Sequence, residues 1–219
     1  MQRFFDIVLS LIAIIVLIPV FIPVIVLLRF TGEGEIFYRQ ERIGKNLSSF
    51  ALLKFATMLK DSPNLGSGTI TIKGDPRVLP VGRVLRKTKI NELPQLINVL
   101  LGDMSLIGPR PLTKQTFDAY DASVATIISE VRPGLSGVGS IIFRNEEELL
   151  NKTLDPVNFY FSNIAPIKGK LEVWYVENRS LYTYFLLIFI TVIVVLVPNP
   201  KIIYKIFPEL SKINNPKLS

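Results

Sequence analysis

The chain has no cysteine and no histidine among its 219 residues. The first absence removes disulfides and thiolate nucleophiles, the second removes imidazole bases, and the two together remove Cys/His zinc sites. Any chemistry must rest on carboxylates, Lys, Arg, Tyr, Ser, Thr, or a metal held by oxygen ligands, a role that suits hard cations such as magnesium. Acidic residues are scarce beside basic ones, 18 against 25, which leaves a formal net charge of +7. A surplus of that sign implies an anionic partner: nucleic acid, an anionic membrane surface or a phosphorylated substrate. The basic residues lack the interleaved aromatics of single-strand binders, and no base-reading helix motif is present, so no nucleic-acid partner is expected.

Charge is almost missing from two further stretches. Phe4 to Leu28 is apolar apart from Asp6 and Ser10, and Leu181 to Val197 holds no charged residue. The first stretch is too long for the apolar region of a signal peptide and has no small-residue cleavage site before Arg29. Its length reaches the roughly 20 residues that a spanning helix needs. Pro19 and Pro23 fall inside it, where each removes a backbone donor and favours a bend. Arg3 and Arg29 flank both sides, so the positive-inside tendency assigns no orientation. Two readings of residues 1–30 therefore stay open: a proline-kinked spanning helix, or a re-entrant helix-break-helix that keeps both arginines in the cytoplasm.

The second stretch is short for a span at about 1.5 Å per residue, and Pro198 and Pro200 stop it. Lys201, Lys205, Lys212 and Lys217 follow, against only Glu209. If the first stretch re-enters, a spanning second stretch would export this basic tail, so residues 181–219 are expected to form an embedded or interfacial helix with a basic tail. Trp174, Tyr182, Tyr184 and Tyr204 bracket it as interfacial aromatics do.

Residues 31–180 have the composition of a compact α+β domain. Ile36 to Arg39 and Ser49 to Phe55 are β-compatible and are separated by the turn signal Gly44-Lys45-Asn46, which predicts a hairpin. Asp61 to Asp75 reads as a loop, interrupted by the strand-like Thr69 to Ile72. Glu92 to Leu101 places Leu93, Leu96, Ile97 and Leu100 at helical spacing, with Pro94 in the first turn and Gly102 as cap. Lys73, Arg77, Arg83, Arg86, Lys87 and Lys89 gather upstream of Glu92, and Arg110 follows in Gly108-Pro109-Arg110-Pro111. A basic run is ordinarily a solvated face, and the proline motif could be a rigid turn closing the core. Beside a carboxylate and a helix start, the same residues suit phosphate binding.

The motifs resemble those of the bacterial sugar transferase family, the monotopic phosphoglycosyl transferases, over almost the whole chain. The similarity runs through Tyr38-Arg39-Gln40-Glu41-Arg42-Ile43-Gly44, Lys54-Phe55-Ala56-Thr57-Met58, Asp75-Pro76-Arg77, and Arg86 to Leu112. It continues through Arg132-Pro133-Gly134-Leu135-Ser136-Gly137, Arg144-Asn145, and Trp174-Tyr175-Val176-Glu177-Asn178. The resemblance implies an α-rich α+β cytosolic core with a re-entrant N-terminal membrane helix, on the cytoplasmic face of the bacterial inner membrane. It also implies transfer of a phosphosugar from a nucleoside diphosphate sugar, a UDP-sugar, to polyprenyl (undecaprenyl) phosphate. That reaction initiates surface glycan, exopolysaccharide or lipopolysaccharide assembly, with glycan-assembly proteins and membrane lipid as further partners.

On the family pattern, Asn91 and Glu92 stand at the catalytic pair. Glu92 would hold Mg2+, and Arg86, Arg110, Arg77, Arg83, Arg144 and Arg132 would bind phosphate or substrate. The family has an Asp nucleophile where this chain has Asn91, and a neutral amide lacks the carboxylate's nucleophilicity. Ala56, Ser140 and Phe143 are further departures. Three accounts follow: a transferase using direct attack by the lipid phosphate or another carboxylate, Glu92 or one of Glu146, Glu147 and Glu148; a noncatalytic relative that binds sugar nucleotide or lipid; or an engineered Asp-to-Asn change. The acidic run at Glu146 also reads as a solvated helix start. A different class, a basic membrane-anchored module binding anionic lipid, would need neither Glu92 nor the proline-locked Arg110.

Overall fold

The computed structural model describes residues 1–62, 75–151, 153–197, 199 and 201–213, with the side chain of residue 147 left aside. Thr69 to Ile72, most of the expected loop, Lys73, Pro198, Pro200 and Lys217 lie outside the described residues.

Helix α1, Gln2–Arg29, runs through both Pro19 and Pro23 as one helix. The expected break is thus not a gap in helical structure: each proline removes one donor, and the surrounding turns keep their bonds. Helix α1 docks on the rest of the molecule at both ends. Near its start, Arg3 donates to the carbonyls of Val99 and Leu100, the latter at 2.8 Å. Asp6 Oδ1 accepts from Ser105 Oγ and Leu106 N, both at 2.9 Å, and from Tyr184 OH at 2.8 Å. Near its end, Val24 and Leu28 pack with Phe55 and Leu85. Between these docks, Leu11, Ile12, Ile15, Val16 and Ile18 are exposed.

The expected hairpin forms. Strand β1, Phe37–Ile43, pairs antiparallel with β2, Ser49–Phe55, in the register Phe37↔Phe55 to Ile43↔Ser49. Asn46 and Leu47 take positive φ in the turn. Helix α2, Pro80–Lys87, starts on its proline and lies against Thr57, so closely that a Cβ at Gly82 would come within 2.1 Å of the Thr57 carbonyl oxygen. The predicted helix 92–101 is divided: Ile90–Glu92 is a 3-10 turn, and α3, Gln95–Leu101, follows Pro94. Gly102 ends it at φ +105, the left-handed cap its sequence position suggests.

Two three-residue strands have no counterpart in the sequence reading. Strand β3, Ser105–Ile107, pairs parallel with β4, Gly134–Ser136. Gly134 is required there, because its Cβ would sit 2.1 Å from Gly108 N. The remaining helices are α4 (Lys114–Phe117), α5 (Ala122–Ser129), α6 (Val138–Ile142), α7 (Glu146–Leu150), α8 (Pro156–Phe159), α9 (Ala165–Glu177), α10 (Leu181–Leu196) and α11 (Ile202–Ile206). A one-turn π-helix, Tyr160–Ile164, joins α8 to α9.

The largest apolar cluster unites β3, α6, α9, α10 and α11 through Ile107, Val138, Leu171, Tyr175, Leu187, Ile190 and Ile203. Ser180 caps α10 by accepting from Thr183 N at 3.0 Å. One face of α10 is therefore core, while Phe185, Phe189, Val192, Val195 and Leu196 remain exposed. The architecture is helix-rich α+β, with one helix long and apolar enough to cross a membrane among the described residues.

Candidate functional site

The hairpin, α2, the 90–92 turn, the segment after β3 and α10 enclose a cavity of about 880 Å³. Its cationic region forms around Glu92. Lys89 takes a left-handed conformation, φ +61, and Glu92 N bonds back to its carbonyl at 3.1 Å. That tight turn brings Asn91 and Glu92 to the cavity at the end of the basic run. Lys54 reaches Glu92 Oε1 from β2 at 3.8 Å, and Arg110 reaches it from the proline-flanked segment at 3.9 Å. Arg42 of β1 stands beside them, donating to the Pro111 carbonyl at 3.1 Å and to Gln40 Oε1. Its Nε is buried without a partner. Arg86, Lys89 and Arg144 also line the cavity.

Charge is unevenly matched in this region. Two other carboxylates that line the cavity, Glu35 and Glu146, are paired with Lys60 and Lys168. Burial alone would raise the Glu92 carboxyl, but Lys54, Arg110, Lys89 and Arg86 outweigh it and hold Glu92 below the usual carboxylate range. Burial lowers Lys54 to about 8, helped by Arg42, Arg110 and Arg86 and opposed by Glu92. Burial likewise lowers Arg42 to about 10, with Arg110 contributing. Arg42, Lys54, Arg86, Lys89 and Arg110 thus concentrate positive charge around Glu92, a field that suits an anionic ligand.

Behind Arg110 lies a second acidic group. Glu172 of α9 is fully enclosed and accepts from Arg110 N at 3.4 Å, while its Oε2 has no partner. Burial raises it to about 7, opposed by the Arg110 backbone bond and by the Lys168 and Arg110 charges. Glycine at 139 makes the room, since a Cβ there would lie 2.5 Å from Glu172 Oε1. Lys168, bonded to Glu146, lies over the rings of Phe143 and Tyr160 at 5.6 and 5.7 Å.

Of the residues expected from the sequence, Asn91, Glu92, Arg86, Arg110 and Arg144 line one cavity. Arg77, Arg83 and Arg132 do not line it. Arg77 is buried and held by Asp75 through Nε at 2.9 Å and Nη2 at 2.6 Å, and it donates to the Ser62 carbonyl at 2.8 Å. Arg83 is exposed on α2. Arg132 Nε donates to the Gly102 carbonyl at 2.7 Å, binding α3 to the β4 approach. In the sequence Arg42 and Lys54 stand out only as letters of the hairpin motifs, and no motif contains Glu172 or Lys168. Period-2 alternation along the hairpin, which puts Arg42 and Lys54 on a common sheet, was the signal available for the first two.

Among the described residues no three of Asp, Glu, His or Cys gather into a metal-ligating group. Asn91 Oδ1, however, is buried and without a hydrogen-bond partner next to Glu92. One carboxylate and one amide oxygen suit magnesium carried on substrate phosphates, which typically takes few protein ligands and keeps waters.

A family model described as bacterial sugar transferase matches residues 1–198. The exopolysaccharide production protein ExoY of Sinorhizobium fredii is 34% identical over 205 residues, covering 87% of this chain and 83% of that protein. The UDP-N-acetylgalactosamine-undecaprenyl-phosphate N-acetylgalactosaminephosphotransferase of Aeromonas hydrophila is 33% identical over 193 residues, 87% of this chain and 42% of its own length. The undecaprenyl-phosphate galactose phosphotransferase of Salmonella typhimurium is 32% identical over 210 residues, 90% and 40% respectively. With the family model matched over residues 1–198 and a relative 34% identical along most of its length, this chain belongs to the bacterial sugar transferase family.

Proposed function

We propose that the protein transfers a phosphosugar from a UDP-sugar to undecaprenyl phosphate, initiating exopolysaccharide assembly at the cytoplasmic face of the inner membrane. The observation that carries the reading is that Arg42, Lys54, Arg86 and Arg110 converge with Asn91 and Glu92 on one cavity. Phosphoryl transfer needs positioning and charge neutralisation more than proton transfer, and this cluster supplies both. The docking of both ends of α1 on one body supports a re-entrant placement, since a helix whose two ends meet the same domain keeps them on one side of the bilayer.

Asn91 offers no nucleophile. The acceptor's own phosphate oxygen attacks the β-phosphorus in line, the bond from that phosphorus to the bridging oxygen breaks, and uridine monophosphate leaves. The product is the polyprenyl diphosphosugar. Arg110 and Lys54 hold the two approaching anions together despite their repulsion, and Arg86 holds the nucleotide phosphates. Magnesium, when bound, would neutralise the diphosphate, with Glu92 and Asn91 Oδ1 as its protein ligands.

A second reading follows from one observation: the Asn91 side-chain oxygen is buried and unpartnered at the catalytic position. In that reading the protein binds sugar nucleotide or lipid phosphate without turnover. The test is release of uridine monophosphate from UDP-sugars by the purified chain with magnesium, with and without undecaprenyl phosphate, beside Asn91→Asp. Release only with lipid supports direct displacement. Release without lipid replaces it with hydrolysis or a covalent step on Glu92, and release by Asn91→Asp alone establishes the binding reading.

A further inference from the structure

The cavity has a part that phosphate chemistry leaves unused. Ile188, Thr191, Val192 and Val195 line it from α10, at the i, i+3, i+4, i+7 spacing of a single helix stripe. Apart from Ile188, which also packs against the core, this stripe differs from the one that builds the core, which carries Tyr184, Leu187, Ile190 and Val194. Leu106 of β3 and Leu135 of β4 face the same space. The two hydroxyls at its edge satisfy each other: Ser136 Oγ and Thr191 Oγ1 lie 2.8 Å apart, and Thr191 Oγ1 also donates to the Leu187 carbonyl at 2.7 Å. This end of the cavity therefore offers a ligand apolar contact and little else.

The apolar wall does not stop inside the cavity. Val192 and Val195 are 53% and 48% exposed, and the neighbouring Phe189 and Leu196 are exposed too, so the wall continues onto the outer surface of α10. A ligand matching the whole space carries a phosphate at one end and a long hydrocarbon chain at the other. A sugar nucleotide has nothing to place on the α10 stripe.

We propose that the α10 stripe, facing Leu106 and Leu135, seats the first prenyl units of the acceptor polyprenyl phosphate, with its phosphate toward Lys54 and Arg110 and its tail leaving along the exposed face of α10. The proposal rests on the transferase reading above and assigns the acceptor's place within it. The stripe from Ile188 to Val195 is about 10 Å long at 1.5 Å per residue, so it reads the head of the chain while the bilayer takes the rest. Affinity then depends on the hydrocarbon nearest the phosphate, and a bilayer phospholipid with two acyl chains on a glycerol does not substitute.

The test uses the full chain in nanodiscs of phosphatidylethanolamine and phosphatidylglycerol, with undecaprenyl phosphate and a UDP-sugar titrated separately. Val192→Trp fills the apolar end and is expected to weaken undecaprenyl phosphate binding by about tenfold or more, the loss of roughly one buried prenyl contact. UDP-sugar binding should stay within about twofold, a difference below about 0.5 kcal/mol. Val157→Trp, exposed on α8 and away from both the cavity and the α10 wall, should change neither. If Val192→Trp also loses UDP-sugar binding, the nearly isosteric Val192→Thr decides: weaker undecaprenyl phosphate binding with intact UDP-sugar binding supports the seat, and unchanged lipid binding overturns it. Displacement of undecaprenyl phosphate by equimolar phosphatidic acid also overturns it, in favour of a general lipid site. Failure of the unaltered protein to bind undecaprenyl phosphate at all removes the transferase reading itself, and this proposal with it.

Discussion

Asp6 and Tyr184, 178 residues apart in sequence, share a buried 2.8 Å hydrogen bond, and the same carboxylate oxygen accepts from Ser105 Oγ and Leu106 N. One polar atom in an apolar helix thus ties α1, β3 and α10 together. Replacing Asp6 by Leu strands two side-chain donors and one backbone donor in the core. The expected cost is about 2–3 kcal/mol of stability, whereas Tyr184→Phe, which removes one donor, should cost about 1 kcal/mol. Denaturant unfolding of both variants and of the double variant checks this, and coupling of about 0.5 kcal/mol or more marks the direct contact.

Arg86 and Arg77 lie nine positions apart in one basic run yet should behave in opposite ways. Arg86→Ala and Arg110→Ala should each weaken UDP-sugar binding about tenfold, the loss of one charge-assisted phosphate contact. Arg77→Ala should leave Asp75 as an uncompensated buried charge and cost about 3–5 kcal/mol. Isothermal titration beside thermal unfolding separates the two classes. Unchanged UDP-sugar binding in Arg86→Ala removes it from the phosphate site.

This contrast marks the limit of what the sequence disclosed. The hairpin was legible because β-compatible runs and a Gly-Lys-Asn turn are local signals, and α3 because Pro94 and Gly102 punctuate both its ends. Strands β3 and β4 were not, since three residues carry no period and their pairing joins Ser105 to Gly134 across the chain. Arg86 and Arg77 carry the same charge in the same run, and what turns Arg77 inward is Asp75, two residues before it, together with the more distant Ser62 carbonyl. Glu172 sits in a helix of ordinary composition, so its enclosure by Gly139 and Arg110 was invisible. The family motifs single out Asn91 and Glu92, which lie together on the cavity, while Lys54 and Arg42 join them there through the hairpin's fold.

Glu172 gives the protein a pH dependence of known sign. Its folded value, about 7, lies above the ordinary carboxyl value of 4.5, so the folded state binds the extra proton between them. Stability is therefore highest below pH 4.5 with respect to this group and falls as pH rises toward 7, by about 3 kcal/mol in total. Glu172→Gln should flatten that segment of the stability curve. Unfolding midpoints taken from pH 4.5 to 8 for both proteins check it, and parallel curves refute the assignment.

Glu92 should control metal dependence. Magnesium is expected to tighten UDP-sugar binding to the unaltered protein, and Glu92→Gln should abolish that gain while leaving metal-free binding equal or tighter, because a carboxylate facing the diphosphate is removed. Titrations with and without chelator read both effects. Retention of the full magnesium response in Glu92→Gln would falsify the ligand assignment.

The two docks of α1 also order events during synthesis. Asp6 emerges long before Ser105 and Tyr184, the residues that satisfy it, so a nascent α1 has no protein partner for its buried carboxylate. Its carboxylate is satisfied only once both β3 and α10 exist, so the N-terminal dock of α1 is among the last contacts that a growing chain can complete.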